Sequence, residues 1–434
     1  MLLITSFILG LLYVLIAYHA FRRNELVQVL PSFAWLAFMV TPFLFSFKYF
    51  DQESVSYQLF GIAFIALAFM FGDLLCVNKQ DKVHDTQYLN FKISNKFLMT
   101  ISLIVVIVPL LHLFLTGNSP LFDLLFGNFT KNEISNEREL YSKFQVPYIF
   151  SIITNLTINI IMPMLLVIQF YLKRYYLFVT TLIYGSIYAL NSTAKLPFIS
   201  LIFALVITMG LTTTVKYKKI VGLISIFCFG LTILFGVWYG NIALKNKETC
   251  PVPTNVNSSP ANISRSCPEN VTFGVNPIVN TIGYRVFLTP VEVSNHWYEF
   301  FLAEQNSFRG VSSLLERDTY KKTANEIGIQ YYAIPFPDSY GSSISAYSSI
   351  DADAFSFGGL LIVAVISLLL FAIRIYIGLS KSNSPPLTKV FEALALNMMI
   401  ILPFSASIQA ILLPQGLALL LVSIFYLRNF KKVS

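Results

Sequence analysis

The sequence predicts an all-α polytopic membrane protein of about eleven transmembrane helices with one large extracytoplasmic loop. Three observations carry that expectation. The 434 residues are 56% hydrophobic and only 12% charged, about half the charged share of a soluble domain. Apolar runs of roughly 20 residues recur from end to end, a length that crosses a bilayer as a helix. The alternating pattern of an outer-membrane barrel is missing, so helices are left to satisfy the backbone polar groups in lipid.

The elements follow in chain order. The first apolar run, residues 2–20, has no positive segment before it, and Arg22 and Arg23 follow it. It reads as a first helix with its N-terminus outside rather than as a cleaved signal. Further spans are expected at 27–48, 55–77, 97–116, 146–171, 175–190, 196–214, 220–243, 356–379, 390–408 and 411–427. With the N-terminus outside, seventeen of the 30 Lys and Arg but only five of the 22 acids fall on the cytoplasmic side. That bias obeys the positive-inside rule and puts the C-terminus in the cytoplasm. The chain divides into residues 1–243, with eight spans and an outer loop at 117–145, the long outer loop 244–355, and residues 356–434, with three spans and a basic tail. The net charge of +8 reports this topology and gives no reason to invoke nucleic acid.

The long loop holds most of the informative sequence. Cys250 and Cys267 lie in it and suit a disulfide in an oxidising compartment, whereas Cys76 and Cys228 fall within spans. No Cys/His cluster suggests a metal. P-loop, dinucleotide-binding and metalloprotease patterns are absent, as is a nucleophile elbow, so no cofactor is expected. In TIGYRVFLTPVEVSNHWYEFFLAE, Trp297, Phe300 and Phe301 share one helical face, which is expected to lie along the outer membrane surface. In the following segment Ser313 and Glu316 have capping-box spacing, and Gly328 marks a helix stop.

Candidate chemistry concentrates on the outer side. Lys195, in NSTAKLPFIS, is a lone cation between two apolar runs. Such a lysine either snorkels to headgroups or meets an anionic ligand. Arg285, Arg309 and Arg317 are the loop arginines that suit a diphosphate, because the planar guanidinium donates in pairs and stays charged. Ordinary ion pairing with the loop acids is the competing reading of each. Transfer to a sugar hydroxyl needs a base for its proton. Asp353, just before a span containing Gly358 and Gly359, is the best-placed carboxylate, and Glu299 beside His296 is the second. His296, the one histidine of the outer loops, completes the catalytic candidates.

Three of these segments resemble the Wzy-type O-antigen polymerases, the oligosaccharide repeat unit polymerases. LNSTAKLPF is similar to a small-polar-cation turn that often carries Arg in that family, with Lys195 in its place here. TIGYRVFLTPVEVSNHWYEFF followed by NSFRGVSSLL resembles an Arg-apolar-aromatic run and the glycine after it, at Arg285 and Gly310. SSIDADAFSFGGLL resembles the entry to the span after the large loop, at Asp353, Phe357, Gly358 and Gly359. Arg317 and Gly328 fit a further Arg-x10-Gly spacing. The resemblance implies a GT-C-like glycosyltransferase of the bacterial inner membrane that uses neither metal nor nucleotide sugar. Its substrates would be oligosaccharide units on undecaprenyl diphosphate, joined at the periplasmic face, with a chain-length regulator as a further partner. An O-antigen ligase shares this architecture. A polysaccharide flippase would want an inverted repeat and mid-span charges, and the sequence has no such repeat and few such charges.

Overall fold

A computed structural model describes residues 2–23, 26–46, 52–79, 94–116, 148–190, 201–202, 204–207, 289–303, 306–315, 319–333, 348–378, 386–403, 407–412 and 416–430. Among these residues the regular structure is entirely helical. Five stretches among the described residues are long and apolar enough to cross a membrane: Val27–Leu44, Gln52–Val77, Asn95–Thr116, Ile152–Tyr171 and Leu360–Gly378. Most of the span expected at 196–214, all of the span at 220–243 and the outer loop at 117–145 lie outside the described residues.

The helices are α1 (Leu2–Arg23), α2 (Leu30–Trp35), α3 (Thr41–Ser46), α4 (Gln52–Lys79), α5 (Asn95–Thr116), α6 (Tyr148–Leu156), α7 (Met162–Tyr171) and α8 (Tyr175–Leu190). After the long loop come α9 (Thr289–Leu302), α10 (Thr319–Gly328), α11 (Ile350–Gly358), α12 (Leu360–Gly378), α13 (Pro386–Ile400), α14 (Ile408–Leu412) and α15 (Leu417–Phe430). Helix α4 is the axis of the fold. It packs most extensively on α12 and also touches α1, α2, α9 and α11.

Two spans contain π turns, Leu36–Val40 and Thr157–Ile161. Each is followed, two residues on, by a proline, Pro42 and Pro163. A proline ring collides with the carbonyl four residues back and donates no bond to it. A widened turn at that carbonyl relieves the collision and lets the helix continue.

Two expected spans are divided differently. The span expected at 356–379 is two helices, because Gly359 at φ 74, ψ −160 ends α11 and α12 starts afresh at Leu360. The run expected to be helical over 390–408 stops at Ile400, before a turn that contains Pro403; the last helix begins only after Gly416, at φ 87. Hydropathy alone does not reveal these breaks.

The aromatic face of α9 meets protein rather than the membrane surface. Trp297 is fully buried and stacks on Tyr320 at 5.2 Å, and Phe301 is buried beside Phe308. Ser313 does not cap a helix; its hydroxyl donates to the Gly310 carbonyl at 2.7 Å within a 3-10 turn. Gly328 ends α10, but the chain winds on as a π turn, Ile329–Ala333.

Asp73 is one of the five acids, and Arg374 one of the seventeen cations, that the sequence assigns to the cytoplasmic side, but they lie inside α4 and α12. Both are fully buried, with Arg374 Nε 2.5 Å from Asp73 Oδ1. Removing one charge of each sign leaves the inner bias unchanged.

Candidate functional site

A cluster of buried polar residues forms where α9, α11 and the loop before α10 meet the first turns of α4. Helix α9 brings the first contacts. Asn295 donates to Ser54 Oγ at 3.1 Å and to Gln58 Oε1 at 3.0 Å, and Gln58 donates to the Val291 carbonyl at 2.9 Å. The Ser294 hydroxyl lies 2.6 Å from that of Ser349, which precedes α11. All five of these side chains are buried. Buried polar groups are costly unless bonded, so this network fixes how α9 seats on its neighbours.

Helix α11 carries two acids in its first turn, Asp351 and Asp353, where the helix dipole favours negative charge. Asp351 accepts a bond from the Ser349 hydroxyl and a longer one, 3.3 Å, from Tyr298. Asp353 accepts from Arg309 NH1 at 2.8 Å through one oxygen and from the Ile408 amide at 2.8 Å through the other. Both acids are fully buried, and burial pushes each up to about 6, against the pull of the bonds to Asp351 and of the Arg309 charge beside Asp353. Burial and the neighbouring Asp351 hold the Tyr298 phenol well above its usual range.

Arg309, in the loop before α10, is the partner of Asp353. Its amide donates to the Ser356 carbonyl at 2.8 Å, and NH1 also donates to Ser356 Oγ at 3.1 Å. The guanidinium lies 4.4 Å from the Phe357 ring, with Tyr320 at 5.6 Å and Trp297 at 6.0 Å. Its Nε is buried and meets no hydrogen-bond partner among the described residues. Gly310 follows at φ 72, a left-handed conformation that turns the chain away immediately after the arginine.

A second pair lies on α9. His296 Nδ1 is 2.9 Å from Glu299 Oε2, one helical turn away. The side chains are 17% and 20% exposed, and the imidazole stacks on Tyr331 at 4.3 Å. Burial and Glu299 raise the Tyr331 phenol.

The structure therefore brings Arg309 to Asp353 and His296 to Glu299. Lys195, Arg285, Arg317, Cys250 and Cys267 lie outside the described residues. In the sequence Asp351 is one loop carboxylate among several, ranked below Asp353 and Glu299, and its partner Tyr298 does not stand out, although Asp351 is as buried as Asp353. The available signal was the pair Ser294-Asn295 inside an aromatic helix, since polar residues on a buried face need polar partners. Among the described residues no group of three or more His, Cys, Asp or Glu is arranged to hold a metal.

Two properties of the arrangement bear on chemistry. The guanidinium is anchored through NH1 to Asp353, and its buried Nε is a donor with no partner among the described residues. Burial raises both acids to about 6, so each changes its protonation state much closer to neutrality than an exposed aspartate. No family model matches the sequence, and neither curated proteins nor solved structures give a significant match.

Proposed function

We propose that the protein is a lipid-linked oligosaccharide polymerase of the Wzy type. One observation carries the reading. Two segments that resemble that family in sequence, around Gly310 and Asp353-Gly359, are joined at 2.8 Å by the pair Arg309 and Asp353, which are 44 residues apart. They do so at the head of a membrane-spanning helix, beside the aromatic helix α9. The proposal includes eleven spans in a GT-C-like arrangement and an inner-membrane location with a periplasmic N-terminus.

In this reading the lipid tail lies among the spans and the diphosphate reaches the Arg309 Nε. Lys195, Arg285 and Arg317 supply further positive charge. The bond from the sugar's anomeric carbon to phosphate breaks, and its electron pair leaves with the diphosphate. Fixed cations stabilise that charge as it develops. The new bond joins the same carbon to an acceptor hydroxyl, whose proton passes to a base. Both Asp353 oxygens are already engaged, so Asp353 positions Arg309. Glu299 and His296, the more exposed pair, take the proton.

Purified protein in lipid, given a synthetic undecaprenyl-diphosphate oligosaccharide, should release undecaprenyl diphosphate and lengthen the glycan. Lys195→Ala should cut that rate about 10²-fold or more, and cells carrying it should display single-unit glycolipids only. Transport without release of the diphosphate would identify a flippase and overturn the proposal. Attachment of finished polymer to lipid A–core would identify a ligase and do the same.

A further inference from the structure

At the opposite end of the spans, α1 and α4 leave a groove of about 260 Å3 between them. Leu12, Leu15, Leu67 and Phe71 form its walls, with Tyr18 and His19 toward the end of α1. Leu15 and Phe71 are each more than half exposed, so the groove opens outward from the bundle. It follows both helices from Leu12 to His19 and from Leu67 to Leu74, about 10 Å at the usual helical rise. Water gains nothing among such side chains, whereas a lipid tail does.

The mouth of the groove carries charge. Arg22 stands one turn beyond Tyr18 on the same face of α1, with its guanidinium 5.8 Å from the Tyr18 ring. It is exposed and pairs with no acid among the described residues. The acid on the facing helix, Asp73, is buried and taken by Arg374. A cation and a tyrosine at the end of an apolar slot match the interface where a headgroup leaves the hydrocarbon.

We infer that this groove binds one anionic glycerophospholipid, with an acyl chain between α1 and α4 and the phosphate on Arg22. The site is separate from the α9–α11 cluster and does not rest on the transferase reading. The groove is lined by apolar side chains and bears its cation at the mouth, which favours a headgroup-anchored phospholipid.

Native mass spectrometry of the full chain, delipidated stepwise with phosphatidylglycerol or chain-matched phosphatidylcholine, tests it. One phosphatidylglycerol should be retained after phosphatidylcholine is lost. Arg22→Gln should weaken phosphatidylglycerol about fivefold and leave phosphatidylcholine unchanged, as one interfacial charge predicts. Leu15→Trp, at an exposed wall position, should lower retention of both lipids at an unchanged melting temperature. Equal retention of the two lipids by the parent protein overturns the inference, as does an Arg22→Gln protein that holds phosphatidylglycerol as the parent does. Displacement by equimolar undecaprenyl phosphate would assign the groove to a prenyl carrier instead and overturn it too.

Discussion

Asp351 and Asp353 stand two residues apart on α11, equally buried, and meet unlike partners. Asp353 faces a cation, and Asp351 faces two hydroxyls. Burial raises both from 3.8 to about 6. Between those values the folded chain keeps protons that the unfolded chain has released. Stability therefore falls as pH rises from about 4 to about 6, and levels off above that. A shift of about two units corresponds to roughly 3 kcal/mol per group. Asp351→Asn keeps an acceptor for Tyr298 and Ser349 but removes the titration. Its melting temperature in detergent should lose about half of the parent's fall between pH 4 and 6, and should match or exceed the parent's at pH 7. An unchanged pH slope would show that Asp351 does not titrate in that range. Asp353 is the less clean probe, because neutralising it also strips Arg309 of its counter-charge.

At the scale of elements, the join between α11 and α12 decides where the site sits relative to the membrane. Gly359 holds φ 74, ψ −160, a region that residues with a side chain scarcely enter. A Cβ there would only touch Phe308 at 3.6 Å, so space is not the obstacle. Gly359→Ala should cost about 1–3 kcal/mol through backbone strain alone, read as a lowered melting temperature with the helical circular-dichroism signal retained. A melting temperature equal to the parent's would mean that α11 and α12 can join without the break. The sequence showed Gly358-Gly359 as a pattern but not as a division, because hydropathy runs smoothly across it. Elsewhere hydropathy sufficed: the helix expected at 175–190 is Tyr175–Leu190, and those expected at 55–77 and 97–116 lie within Gln52–Lys79 and Asn95–Thr116. Aromatic spacing on α9 announced an apolar face but not its partner, since lipid and protein ask the same of Trp297 and Phe301. For the site, Asp353 was legible from its place before a span. Its pairing with Arg309 was not, because 44 residues separate them and only the fold of α9 and α11 brings them together.

The molecule as a whole is tied across its helices by charge as well as by packing. Arg374 of α12 reaches Asp73 of α4, and its NH2 donates to the Gln28 carbonyl at 2.6 Å and to Gln28 Oε1 at 3.1 Å. NH1 lies 3.2 Å from the Cys76 sulfur. Ser32, on α2, donates to the other Asp73 oxygen through its hydroxyl, and its amide lies 3.3 Å from the same atom. One pair thus links the segment before α2, α2 itself, α4 and α12, the helices around which the rest is arranged. A buried ion pair adds little net stability over apolar residues of similar size, since desolvation offsets its attraction. Losing one partner is different, because the remaining charge is stranded in an apolar interior. Arg374→Met should therefore cost about 3–5 kcal/mol, seen as a collapse in monodisperse yield and melting temperature. Asp73→Asn combined with Arg374→Met should recover much of that loss, because it leaves no charge behind. Thermal melts of the two single variants and the double variant in one detergent decide the matter. A double variant as damaged as the worse single would mean that the hydrogen bonds to Gln28 and Ser32, not the compensation of charge, hold α4 against α12.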